Sequence, residues 1–231
     1  MKMEDIRSDE RPRERAIEHG MSTLGNRDLL AIILRSGYKG CNVLEVADHL
    51  LNQYGLRGLA KMSYEDLIGE KGIKDAKALE LLACFELSKR LLYEEMKGKD
   101  IILNYDDLIR WLRNEIGNKE REHLVCIYLN AFNQVIHHTV LYQGTSDHMP
   151  VSAKDIYRDA MKYSADKIIL AHNHPRGTLF PSREDIMSTE LLMDAGETVG
   201  IPLVDHLIIS NDGYFSIMKH LRDMETYTDH S

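Results

Sequence analysis

The chain has 231 residues, 43% of them hydrophobic and 29% charged, and a net charge of −8. That is length enough for two modest domains, each burying its own core, and no stretch approaches the roughly 18 consecutive apolar residues of a membrane span. The acidic balance excludes a protein whose whole surface is an electrostatic footprint for nucleic acid. The excess is smaller up to Glu95 (17 acidic against 15 basic residues) than after it (20 against 14), so the first part is the better candidate for any local basic patch.

In chain order, the N-terminus MKMEDIRSDERPRER has no apolar run and carries acidic residues. Neither a secretory signal nor a transit peptide reads there, and the expected compartment is the cytoplasm. Cys41, Cys84 and Cys126 sit inside apolar patterns without CxxC spacing, so no disulfide and no cysteine-based zinc site is expected. Residues 1–95 read as an all-α domain. Asn26 is a candidate N-cap for RDLLAIILR, with Gly37 shortly beyond that helix. In CNVLEVADHLLNQYG, Val43, Val46, Ala47, Leu50 and Leu51 share one helical face and Gly55 closes it. Ser63-Tyr-Glu-Asp66 is a capping box, and a longer helix is predicted from Asp75 to about Tyr93.

The segment EEMKGKDIILNYDD loses the helical period, which places a linker over 96–104 and a second domain over 105–226. A helix is predicted from Tyr105 to about Ile116. Two strands follow, HLVCIYLN and QVIHHTVLYQG, around the turn Ala131-Phe132-Asn133. Next come a helix near AKDIYRDAMKYSA, the strand DKIILAHNH, a helix from SREDI to about Gly196 and the strand PLVDHLIIS; the tail 227–231 is expected to fray. Alternating strands and helices define an α/β (α+β) domain with a sheet flanked by helices.

Within it, IILAHNHPRGTLFPSRED carries the chemistry. Side chains alternate along a strand, so His172 and His174 point to one face and Asn173 to the other. Pro175 cannot extend a ladder, which puts the histidines at the strand's exit. Asp185 falls in the first turn of the next helix, and two histidines with one carboxylate make a catalytic zinc set with a fourth position left for water. Ser182-x-x-Asp185 is equally a capping box, and an isolated His-x-His is a weak signal. The full run decides for a metal: His-x-His-Pro, seven residues from His174 to Ser182, then two more to Asp185. His137 and His138 are adjacent, face opposite sides of a strand and read as structural.

This pattern resembles the signature of the JAMM (MPN) metalloprotein family. The flanking GIPLVDHLIIS and GYFS, with RPRERAIEHG and LLAIILRSG near the N-terminus, resemble its RadC-type branch over nearly the whole chain. The resemblance implies a mixed sheet flanked by helices in a cytidine-deaminase-like layout. It further implies one zinc per chain on His172, His174 and Asp185, with Ser182 donating near the reacting oxygen. The family's glutamate, acting on water at the metal, matches Glu122, with Glu120 as second choice. His206 after Asp205 is a candidate supporting group behind the ligands. Relatives often carry His-Pro where this chain has Ser152-Ala153. The implied activity is hydrolysis of a peptide or isopeptide bond in a peptide or protein.

LIGEKGIKDAKALELL, Leu67 to Leu82, resembles a helix-hairpin-helix, with Gly72, Lys74 and Lys77 as candidate phosphate contacts in non-specific DNA binding. The usual second glycine is replaced by Lys74, and a tight helix–helix joint is the competing reading. Against the hydrolase stand two alternatives: a DNA-associated protein of repair or recombination whose metal site is structural, and a metal-dependent nuclease.

Overall fold

The computed structural model describes residue 7 and residues 10–144, 152–175 and 178–228. It divides into two compact units, Met1–Ser88 and Lys89–Ser231.

The first unit is helical. α1 (Pro12–His19) opens on a proline whose missing N–H costs nothing at a helix start. α2 (Asn26–Leu34) is capped by Gly25, so Asn26 is the first helical residue and not the cap expected from its side chain. Asp28, in that first turn, is instead buried and accepts from the Arg15 guanidinium at 2.8 Å. Arg35 is the C-cap of α2, two residues before Gly37. A Cβ on Gly37 would lie 2.0 Å from the Cys41 carbonyl oxygen, so that glycine serves the close return of the chain at Tyr38–Cys41.

α3 (Val43–Leu59) opens on a capping box that sequence inspection missed, Asn42 with Glu45, and its backbone breaks at Gly55 (φ 63°). α4 (Tyr64–Gly69) has the expected Ser63–Asp66 box. α5 (Asp75–Met96) runs three residues beyond the predicted Tyr93. Leu30, Leu34, Val46, Leu50, Leu67 and Leu81 are among the residues that close this unit's core.

The second unit is a five-stranded mixed sheet. α6 (Tyr105–Glu115) precedes the hairpin β1 (Glu122–Leu129) and β2 (Val135–Gly144). α7 (Ala153–Lys162), β3 (Lys167–Asn173), α8 (Arg183–Val199) and β4 (Leu203–Ile209) follow, then β5 (Tyr214–Ser216) and α9 (Ile217–Thr228). Strand order is β2-β1-β3-β4-β5, with β3 and β4 parallel and every other neighbour pair antiparallel. Positions alternate between two layers. Val125, Ile127, Ile169, Ala171 and Leu207 pack with Leu108 and Leu112 of α6. Leu124, Cys126, Ile168 and Leu170 pack with Ile156 of α7 and Leu192 of α8.

The segment read as a linker is part of this core: Met96 and Ile101 are fully buried in it, and Ile101 N–H donates to Asn133. Two apolar anchors within nine residues explain why it packs. The turn between β1 and β2 includes Asn133 at φ 60°. β5 and α9 were not foreseen; the three residues of β5 are too few for a period of two to register. Residues 227 and 228 continue α9, and the rest of the expected tail, 229–231, lies outside the described residues.

Candidate metal centre

β3 is an apolar central strand until its exit. His172 is paired with Leu124 of β1 and Ile208 of β4 and is wholly buried, facing the α7–α8 layer. His174 stands one step past the strand end. Ser182 is the N-cap of α8, and the capping box fixes the carboxylate: Ser182 N–H and Oγ–H both donate to Asp185 Oδ2 at 2.7 Å, while Asp185 N–H donates back to Ser182 Oγ.

These elements bring three donors together. His172 Nε2 lies 3.0 Å from His174 Nε2, and the two nitrogens lie 3.4 Å from Asp185 Oδ1 and Oδ2 respectively. An ion held at 2.0–2.1 Å in a tetrahedron spaces its ligand atoms about 3.3 Å apart. The histidine pair is near that spacing, the two contacts to Asp185 run to its two different oxygens, and one ligand atom from each residue lies within 4.8 Å of the others, so the group could hold a metal ion. The tautomer of His174 agrees. Its Nδ1 faces the Thr178 carbonyl at 3.0 Å, which can only accept, so Nδ1 carries a proton and the neutral ring presents a lone pair at Nε2. Among the described residues this is the one cluster of three or more His, Cys, Asp or Glu side chains able to hold a metal.

The electrostatics follow from that crowding. Burial lowers His172 well below the ordinary histidine range, and burial likewise pushes His206 down to about 4. Burial would raise Asp185, but the His174 bond, His172 and the two Ser182 donors outweigh it and hold the carboxyl well below the usual range. His174 is raised, chiefly by its bond to Asp185 and in smaller part by the charge of Glu122.

Glu122 is the first residue of β1. It shares a face with Leu124, the register partner of His172, so it lies toward the His174 end of the site. Glu120 is exposed and precedes the strand. Asn173 was not singled out in the sequence beyond its opposite facing, yet it ties the two segments together. Its Oδ1 accepts from His123 N–H at 2.8 Å, and its Nδ2 donates to the carbonyls of Lys119 (3.1 Å) and Arg121 (3.2 Å). Glu122 is therefore held between residues clamped to the histidine strand. A buried asparagine between two candidate ligands was the available signal.

The other histidines, Ser152 and the candidate phosphate contacts lie as follows. His206 is buried behind His172, with its Nε2 3.0 Å from His172 Nδ1. His138 packs edge-on against Tyr93 and Trp111, and His137 against Tyr163. Ser152 N-caps α7. Lys77, a candidate phosphate contact, turns inward: its Nζ donates to the carbonyls of Ser36 (2.5 Å) and Gly72 (2.8 Å). Gly72, at φ 90°, lets the Tyr38 ring approach to 2.4 Å of where a Cβ would stand, and Lys74 is exposed. Residues 176 and 177 of the loop after His174 lie outside the described residues. No helix among the described residues is long and apolar enough to cross a membrane.

A mixed sheet whose central strand ends in His-x-His beside a capped aspartate defines a JAB-type domain. Residues 102–223 match the family described as RadC-like JAB domain, and the chain belongs to that family. Residues 3–79 match the UPF0758 N-terminal family. A UPF0758 protein of Bacillus cereus is 38% identical over 216 residues, 93% of this chain and 96% of the relative. One from Bacillus licheniformis is 39% identical over 220 residues, 95% and 98% of the two chains.

Proposed function

We propose that this protein is a zinc-dependent hydrolase of an amide bond, peptide or isopeptide, in a peptide or protein substrate. The observation that carries the reading is the convergence of His172 Nε2, His174 Nε2 and the Asp185 carboxylate on one point. Three protein donors, two nitrogens and one carboxylate, are the set of a catalytic zinc and not of a closed structural one. When bound, zinc supplies Lewis acidity, polarising a carbonyl and lowering the pKa of water to about 7.

The chain's own residues divide the proton work. Glu122, on the histidine face and held near His174 by the Asn173 clamp, accepts the proton of the attacking water at its carboxylate and returns it to the leaving amine nitrogen. Ser182 Oγ–H, which caps Asp185 in this structure, serves the oxygen that becomes negative by turning toward the substrate, while Ser182 N–H keeps Asp185 Oδ2 in place. The nuclease reading is less well served, because a two-metal clamp needs a second ligand set and one cluster is found among the described residues.

The test is elemental analysis of the purified chain beside His174→Ala, followed by a panel of peptide and isopeptide substrates with Glu122→Gln as control. About one zinc per chain in the parent, much less in His174→Ala, and zinc without turnover in Glu122→Gln support the reading. A parent that takes up no zinc, or that turns over none of the panel when loaded, ends it, and a Glu122→Gln variant as active as the parent removes Glu122 from the mechanism.

A further inference from the structure

Behind the metal centre, three side chains form one hydrogen-bonded line. Thr189 Oγ1, in the second turn of α8, lies 2.6 Å from the backbone carbonyl of Asp185 and 2.7 Å from His206 Nδ1. His206 Nε2 lies 3.0 Å from His172 Nδ1. All three side chains belong to wholly buried residues, so no water competes for these bonds.

A carbonyl oxygen only accepts, so the threonine proton goes to Asp185. The Thr189 oxygen is left as an acceptor toward His206, which must bring its proton on Nδ1. A neutral His206 with Nδ1–H offers Nε2 as an acceptor, so His172 donates from its own Nδ1. Its Nε2, the atom facing His174 and Asp185, is then a lone pair.

We infer that Thr189 and His206 are positioning residues that set the tautomer of His172, and that one backbone carbonyl, Asp185 O, orients every proton in the line. This deepens the metal-centre reading and rests on it for its purpose. Asp185 would thus act twice, as a ligand through its side chain and, through its backbone, as the origin of the order that readies His172. Without the threonine oxygen, His206 is free to carry its proton on Nε2. The His172 proton then moves to its own Nε2 and blocks the nitrogen the metal needs.

The experiment uses the full-length chain. Two-dimensional ¹⁵N–¹H NMR of histidine-labelled, metal-free protein reports tautomers, and competition against a chromophoric chelator reports zinc affinity. Expected are Nδ1–H tautomers for His172 and His206 in the parent. Thr189→Val should shift His172 toward Nε2–H and lower zinc affinity about 10- to 100-fold, with Thr189→Ser restoring both. An Nε2–H tautomer for His172 in the parent overturns the inference, and so does a Thr189→Val variant that keeps the parent's tautomer and affinity. Equal loss in Thr189→Ser assigns the effect to packing and also overturns it. The parent spectrum decides the matter even if Thr189→Val does not fold. Expected tautomers in a parent that takes up no zinc would uphold the hydrogen-bonded line and sink the metal reading separately.

Discussion

The hairpin at Gly72–Lys77 and the strand exit at His172–His174 both present basic residues beside a turn, and they end in opposite conditions. In the hairpin, the Lys77 ammonium is spent on the carbonyls of Ser36 and Gly72, and Gly72 makes room for Tyr38. At the strand exit, hydrogen bonds occupy Nδ1 of both histidines, and Ser182 fixes Asp185 through Oδ2, the oxygen that also faces His174. The two Nε2 atoms and that carboxylate are left converging on one another. A motif whose polar atoms are all satisfied by the fold holds structure together, whereas one whose acceptors are aimed at a common point is prepared for something the chain does not supply.

The largest effect that sharpens this contrast is at Glu122. Glu122→Gln should lower turnover about 10²- to 10⁴-fold at unchanged zinc content, read by steady-state hydrolysis beside metal analysis. Next is Asn173→Ala, which strips partners from one N–H and two carbonyls around Glu122. It should destabilise the protein by about 2–3 kcal/mol in denaturant titration and lower kcat more than it raises KM. Preserved kcat in a destabilised variant would reduce Asn173 to a structural tie.

Third is pH. The Asp185 bond raises His174, so the metal-free ring keeps its proton to higher pH than an ordinary histidine. Zinc uptake must displace that proton, so affinity should fall about tenfold per pH unit below the His174 pKa and level off above it. Isothermal titration in buffers of different ionisation enthalpy counts the proton, and a release of zero would contradict the shift. The smallest effect expected is for Lys77→Met, about 1 kcal/mol from the two carbonyls left short, with variant and parent behaving alike on a DNA column at low salt. Lost DNA retention at unchanged stability would return Lys77 to a binding face and break the comparison.

What could be read in the sequence was local. The capping boxes at Ser63 and Ser182, the β1–β2 hairpin and the His-x-His exit each declare themselves within about ten residues, because a helix start, a tight turn and a period of two are short-range patterns. The Asn42–Glu45 box is as local and was passed over, but most of what escaped depended on partners far along the chain. Asn173 matters because residues 119–123 lie beside it, and Thr189 because His206 arrives from the next strand. Asn26 has a capping side chain, but the chain reaches the helix through Gly25, and Arg15 takes up Asp28. Met96 and Ile101 looked like apolar residues in a charged joint, and only the sheet they cover gives them a place.

Asp185 also governs how a silent version of this protein should be made. Its carboxylate is the acceptor for both Ser182 donors at the start of α8, so replacing it unties a helix terminus as well as the candidate ligand set, at a cost of about 1 kcal/mol. A phenotype from Asp185→Ala would confound lost chemistry with lower abundance. His174, part-exposed and past the end of β3, carries no such second duty toward a helix, and genetic experiments meant to separate function from folding belong there.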